Sequence, residues 1–210
     1  KTIMKPLIVA NWKMNPLTLQ EAKELFSSVQ NGVGKVKNVE VVICPPFVYL
    51  SELRANGAQD LFYEERGAFT GEISPVMLKN LGVKYVIIGH SERRKWLKET
   101  DKMIEKKLKV SLRSGLKPIL CVDKLSQIPS KTKGLILAFE PLSAIGTGKH
   151  YSVEKAKKMR RQIKHPFVLY GGSVNAKNAD GYIKKAGFEG LLVGGVSLKA
   201  KEFVKIVKSV

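Results

Sequence analysis

A chain of 210 residues and 23.3 kDa, 44% of it apolar, suits a single globular domain, residues 1–210, with a sizeable core. No apolar run approaches the ~18 residues of a membrane helix, and the N-terminal run breaks at Asn11-Trp12-Lys13, too soon for a secretory leader, so a cytoplasmic protein with no membrane partner is expected. The formal net charge of +19 comes without the interleaved aromatics of nucleic-acid modules, so nucleic acid is not the expected partner; Cys44 and Cys121, each inside an apolar run, give no support to a disulfide scaffold or a metal centre.

Eight short, mostly apolar runs are predicted as strands: Leu7 to Ala10, Val39 to Cys44, Ala58 to Phe62, Tyr85 to Ile88, Pro118 to Val122, Leu135 to Phe139, Phe167 to Tyr170, and Gly190 to Val193. They are too short for helices, and their near-continuous apolarity marks parallel strands buried on both faces. Most are followed by a stretch of helical period, as in Leu19, Ala22, Leu25, Phe26 and Val29, or Met103, Ile104, Leu108 and Leu112. The cations of such stretches (Lys102, Lys106, Lys107, Lys109; Lys155, Lys157, Lys158, Arg160, Arg161; Lys199, Lys201, Lys205, Lys208) interleave with apolar residues as solvated helix faces do. Their field would also favour encounter with a small phosphorylated substrate.

Eightfold alternation of strand and helix predicts an α/β fold, a closed parallel (β/α)8 barrel, and no Rossmann glycine fingerprint argues for an open sheet. Only Asp123 to Gly134 separate the fifth and sixth strands, with Pro129 and Gly134 among them. The helix after strand 5 is therefore expected to be shortened or missing, with an extended loop or a neighbouring subunit hiding the outer strand face.

Such a barrel carries its chemistry where strands end. After the first strand, Asn11 and Lys13 stand two apart and in extended backbone project to one side, bringing an amide and an ammonium to one pocket. Ile88-Gly89-His90-Ser91-Glu92-Arg93-Arg94 brings an imidazole to the same mouth; His150 and His165 lack such a setting and are read as surface residues. Glu140 ends the sixth run and opens a glycine-bearing stretch to Gly148, the pattern of a base beneath a loop that closes and expels water. The turns Tyr170-Gly171-Gly172-Ser173-Val174 and Val193-Gly194-Gly195-Val196-Ser197 follow strands seven and eight, where backbone N–H groups approach a phosphate closely. Gly146-Thr147-Gly148-Lys149 fails as a nucleotide P-loop, because Ser143 stands where a glycine is needed and His150 follows the lysine.

Asn11-Trp12-Lys13-Met14-Asn15, Gly67 to Ser74, Ile88 to Arg94, Ala138 to Lys149, Tyr170 to Val174 and Leu192 to Leu198, in order and across essentially the whole chain, resemble the triosephosphate isomerase family. The resemblance implies an eight-stranded barrel that interconverts dihydroxyacetone phosphate and glyceraldehyde 3-phosphate through an enediolate, without cofactor or metal. It implies Glu140 as general base, His90 as neutral electrophile, Lys13 as a positive charge, Asn11 as a hydrogen-bonding group and Glu92 as a further active-site carboxylate. Gly146, Ser173, Gly194 and Gly195 match the phosphate-binding positions, Ile145 and Leu192 an apolar clamp over the base, and Cys121 a structural cysteine. The stretch Gly67 to Glu72, with Phe69, Thr70 and Glu72, resembles the loop by which family dimers enter a neighbour's pocket, so a homodimer or higher oligomer is expected. Ser143 departs from the family's tryptophan at the first lid hinge, and His150-Tyr151 depart at the second, so lid kinetics rather than chemistry are expected to differ. The glycine turns alone would suit another phosphate-binding barrel isomerase or lyase, and the charge alone a non-catalytic basic binding protein; Asn11, Lys13, His90 and Glu140 together favour the isomerase.

Overall fold

The computed structural model describes residues 5–130, 133–141 and 151–210. Eight parallel strands, β1 (Leu7–Asn11), β2 (Glu40–Cys44), β3 (Gly57–Ala58), β4 (Tyr85–Ile88), β5 (Lys117–Val122), β6 (Ile136–Phe139), β7 (Val168–Tyr170) and β8 (Gly190–Val193), form one sheet in the order β2-β1-β8-β7-β6-β5-β4-β3. The sheet curls into a nearly closed barrel. The period-2 alternation of strand side chains divides the core into two layers. Leu7, Val9, Val42, Cys44, Ile87, Ile119, Cys121, Ala138, Leu169 and Leu192 pack together in one cluster. Their neighbours Ile8, Ala10, Ile43, Val86, Ile88, Leu120, Leu137, Val168, Leu191 and Val193 pack in a second cluster with helix residues such as Ala22, Leu108 and Phe203.

The helices are α1 (Leu19–Val33), α2 (Leu50–Leu53), α3 (Pro75–Asn80), α4 (Ser91–Trp96), α5 (Asp101–Arg113), α6 (Val153–Gln162) and α7 (Ala200–Ser209). Thr18, Ser74, Thr100 and Ser152 each accept a first-turn backbone N–H at their hydroxyl, which fixes where α1, α3, α5 and α6 begin. Between β7 and β8 a π-helical turn, Gly181–Lys185, takes the place of a full helix.

Strand β3 is shorter than the predicted run Ala58 to Phe62, because the chain leaves the sheet at Gln59. The Gln59 amide donates to Cys44 O at 3.0 Å, and Asp60 turns to a buried ion cluster. Strands β2 and β3, the two ends of the sheet order, share no ladder. The side chain of Asn56 bridges that seam, accepting from Ile43 N–H at 3.1 Å and donating to Val41 O at 3.0 Å. At the same end of the barrel, Tyr85, the first residue of β4, donates to Glu40, the first residue of β2, at 2.6 Å, reaching past the short β3.

The described part of the β5–β6 connection holds one 3-10 turn, Leu125–Gln127. Even so, Leu120, Val122, Leu137 and Phe139 are buried, with Leu135 and Ile128 packed in the same cluster. Within the single chain, the outer faces of β5 and β6 are thus already buried among the described residues, Ile128 of the connection included in their cluster. Lys107 corrects the reading of a uniformly solvated α5 face. Lys102, Lys106 and Lys109 are exposed, whereas Lys107 is 2% exposed. Its ammonium sits 2.6 Å from Asp60 and bonds to Glu99, and Arg93 reaches the same two carboxylates at 2.9 and 2.6 Å. This partnership spans 47 residues and leaves no periodic trace in the sequence.

Candidate active site

A cavity of about 520 Å³ opens at the C-terminal ends of the strands, and it gathers Asn11, Lys13, His90, Glu140 and both glycine turns. Asn11, buried at the end of β1, accepts the backbone N–H of Lys13 at its Oδ1 (3.1 Å), which leaves its NH2 group as a donor for the cavity. Lys13 is not extended, as the same-side reasoning assumed: its φ is +56°, a left-handed conformation that costs a non-glycine residue. Gln59 helps to hold it there by donating to Lys13 O at 2.7 Å. The Lys13 ammonium bonds the Glu92 carboxylate. Gln59 is a supporting residue that sequence reasoning missed, since nothing local marks it.

His90 caps the N-terminus of α4. Its Nδ1 accepts Glu92 N–H at 3.2 Å, which leaves Nε2 to carry the proton of the neutral ring. Nε2 lies 3.2 Å from Glu140 Oε1, and Glu140 Oε2 accepts Ser91 N–H at 3.4 Å. Burial is the largest single influence on His90 and lowers its pKa. The Glu140 carboxylate, with Glu92 adding to it, outweighs burial and Lys13, so the pKa stands above the ordinary 6.5. In this geometry the neutral imidazole expected from the resemblance is opposed by the base that rests against it.

Glu140, at the end of β6, is 3% exposed. Burial pushes the Cys121 thiol well up, and the adjoining Glu140 carboxylate, which shares a hydrogen bond with it, adds to the rise; Cys121 is thus held as a neutral thiol beneath the base. Gly171 is required by space, because a Cβ there would lie 2.9 Å from Glu140 Cγ. Ser173, Leu192, Gly194 and Gly195 line the same cavity. Ser197, fully buried behind this wall, reaches Asn11 O at 3.5 Å and so ties the last glycine turn to β1. Lys199, expected on a solvated helix face, instead lines the cavity.

Ser143, Ile145, Gly146 and His150 lie outside the described residues. Phe69, Thr70 and Glu72 do not join the cavity. They stand on an exposed loop in which Phe69 packs on Phe62 at 4.8 Å between ring centroids and Glu72 N–H bonds Phe69 O at 3.1 Å. His165 is buried, not a surface residue: its Nδ1 lies 2.9 Å from Phe167 O, and Arg160 donates to its carbonyl. The requirement to satisfy chain ends between α6 and β7 places it there.

A family model described as triosephosphate isomerase matches residues 6–210. The chain belongs to the triosephosphate isomerase family. Proteins named triosephosphate isomerase from Thermoanaerobacter sp. (strain X514) and Caldanaerobacter subterraneus subsp. tengcongensis are each 40% identical over 246 aligned positions, covering 97% of this chain and 98% of the relative. One from Alkaliphilus oremlandii is 39% identical with the same coverage. The aligned length exceeds the 210 residues here, so these triosephosphate isomerases carry segments that this chain omits. Among the described residues, no helix is long and apolar enough to cross a membrane.

Proposed function

We propose that this chain interconverts dihydroxyacetone phosphate and D-glyceraldehyde 3-phosphate, moving a proton between the two carbons through an enediolate, as a cytoplasmic enzyme of glycolysis and gluconeogenesis that needs no cofactor. The observation that carries this reading is the convergence of Glu140, His90, Lys13 and Asn11 on one cavity that also holds both glycine turns. A phosphate at Ser173, Gly194 and Gly195 would anchor the substrate with its carbonyl toward His90 and Asn11. Glu140 then turns from His90 Nε2 into the cavity to take the carbon-bound proton. That movement also removes the carboxylate that raises the His90 pKa. Burial and the Glu92 N–H at Nδ1 then favour a neutral ring with its proton on Nε2, aimed at the substrate oxygen. Lys13 contributes positive charge to the developing enediolate, and Glu92 positions Lys13. Gly146 and Ile145 belong to the closing loop in this reading, with Leu192 opposite.

The working unit is a homodimer in which Phe69, Thr70 and Glu72 enter the neighbouring subunit. Large apolar side chains left exposed beyond the strand ends support it: Met14 after β1 at 86%, Val48 in a 3-10 turn after β2 at 75% and Trp96 at the end of α4 at 68%. Coupled turnover of glyceraldehyde 3-phosphate by the native chain and by Glu140→Gln tests the activity, with sedimentation of the native chain reporting its subunit number. Loss of the base should lower kcat by at least ~10². A folded, dimeric native chain without turnover would refute the reading.

A further inference from the structure

We propose that Lys199 is a substrate-binding residue, supplying the cation that meets the second negative charge of a phosphate held at the Gly194–Gly195 turn. The inference rests on the isomerase reading and extends its phosphate site. Among the described residues, the ionisable groups gathered at Asn11 and His90 are one ammonium, Lys13, two carboxylates, Glu92 and Glu140, and the imidazole. Lys13 is committed to Glu92. A phosphate monoester carries a charge of about −1.5 to −2 at neutral pH. With His90 neutral, that anion enters a site whose formal charge is already negative; the upward pull on His90 registers the same surplus of acid. The N–H groups of the glycine turns carry only partial charges and offset part of it.

Lys199 stands where the remaining charge is needed. It follows the 3-10 turn Gly195–Leu198 and lines the cavity beside Gly194, Gly195 and Val196. Its backbone is fixed at both ends, its N–H donating to Val196 O at 3.1 Å and its carbonyl accepting from Phe203 N–H at 3.0 Å. Among the described residues its ammonium closes no ion pair, and Glu202, on the next turn, pairs with Lys205 at 2.7 Å instead. Lys199 sits on the ridge between the cavity and a groove that holds Ser28, Gly32 and Val204; Lys201 lines only that groove.

The test measures kcat and KM for glyceraldehyde 3-phosphate, at low and high ionic strength, in the native chain, Lys199→Gln, Lys199→Arg and Lys201→Gln. Inorganic phosphate binding is measured calorimetrically in the same set. Lys199→Gln should raise KM roughly fivefold at low ionic strength with kcat little changed, about the worth of one partly screened charge contact. High salt should close that gap, and the arginine variant and Lys201→Gln should keep the native KM. Phosphate affinity should fall in parallel in Lys199→Gln. Native KM and native phosphate affinity in Lys199→Gln would overturn the proposal, as would an equal rise of KM in Lys201→Gln, which would indicate a diffuse field rather than a contact. If the native chain binds phosphate but turns over no triose, a weakened phosphate affinity in Lys199→Gln sustains the residue's role while the isomerase reading fails. A native chain that neither binds phosphate nor turns over triose overturns both.

Discussion

Replacing Asp60 with asparagine asks whether the charge cluster behind α4 supports the fold or burdens it. Asp60 is 3% exposed, 2.6 Å from Lys107 and 2.9 Å from Arg93, and its Oδ1 has no hydrogen-bond partner. Burial raises its pKa from the ordinary 3.8 to about 6; Lys107 opposes the rise most, Glu99 adds to it and Arg93 opposes it. A carboxyl with a folded pKa above its unfolded one binds its proton more readily when folded, so its contribution to stability is full below the unfolded pKa and is lost as pH rises through about 6. At pH near 8 the ionised acid is then less favourable to folding than the protonated acid by about 3 kcal/mol. Asparagine has the shape of the protonated acid and carries no charge. Asp60→Asn should therefore stabilise the protein near pH 8, by at most about 3 kcal/mol, and change it little near pH 4. The lowered pKa of Glu99 has burial opposing it and Lys107 and Arg93 driving it; it works in the other sense, stabilising above the unfolded value and fading as pH falls. Glu99 shares Lys107 and Arg93 with Asp60, so loss of the Asp60 charge also favours ionised Glu99, an effect of the same sign near pH 8 that the raised Asp60 pKa already contains. Urea unfolding of the two chains at both pH values, at equal protein concentration, reads the difference. Destabilisation near pH 8 would refute the reasoning, because attraction to Lys107 and Arg93 would then exceed the desolvation of Asp60.

Two further substitutions probe the site and the seam. Gly171→Ala places a methyl 2.9 Å from Glu140 Cγ and 3.5 Å from Phe139 O, so kcat in the coupled assay should fall about tenfold or more as the base is displaced; an unchanged kcat would show that Glu140 gives way without consequence. Asn56→Ala leaves Ile43 N–H and Val41 O without their partner across the β2–β3 seam, and thermal or urea unfolding should show a loss of about 1–3 kcal/mol.

The strands were legible because burial on both faces writes an unbroken apolar run: Tyr85 to Ile88 and Gly190 to Val193 coincide with β4 and β8. The third strand was misread for a reason its residues supply. Leu61 is buried and looks like strand, but Gln59 and Asp60 spend their polar groups on Lys13, Cys44 and Lys107, so the backbone turns away. The cavity residues were legible by type and position at strand ends, and Asn11, Lys13, His90 and Glu140 do share one pocket. How Lys13 gets there was not, because a left-handed lysine depends on Gln59, 46 residues away. Buried Lys107 was hidden for the same reason, since a polar side chain satisfied by a distant partner looks, in sequence, like one satisfied by water; His165 was hidden although its partners Phe167 and Arg160 are near in the chain, because backbone groups that satisfy a ring leave no side-chain signal.

A barrel is the one sheet that need have no edge, yet this one is fastened at β2–β3 by side chains, Asn56 with Gln59 and Tyr85, rather than by a ladder. Its circumference therefore has a preferred place to part. Release of Asn56, together with the Gln59–Cys44 and Tyr85–Glu40 bonds, frees the margins of both strands without breaking any strand-to-strand ladder, so local opening should begin there and unroll the sheet from its two ends. The amides of β2 and β3 should exchange with solvent ahead of those of β5, β6 and β7, which sit mid-sheet with neighbours on both sides. The chemistry at Glu140 lies at the far side of the ring from the seam, and the half of the barrel that holds the base stays intact while the other half breathes.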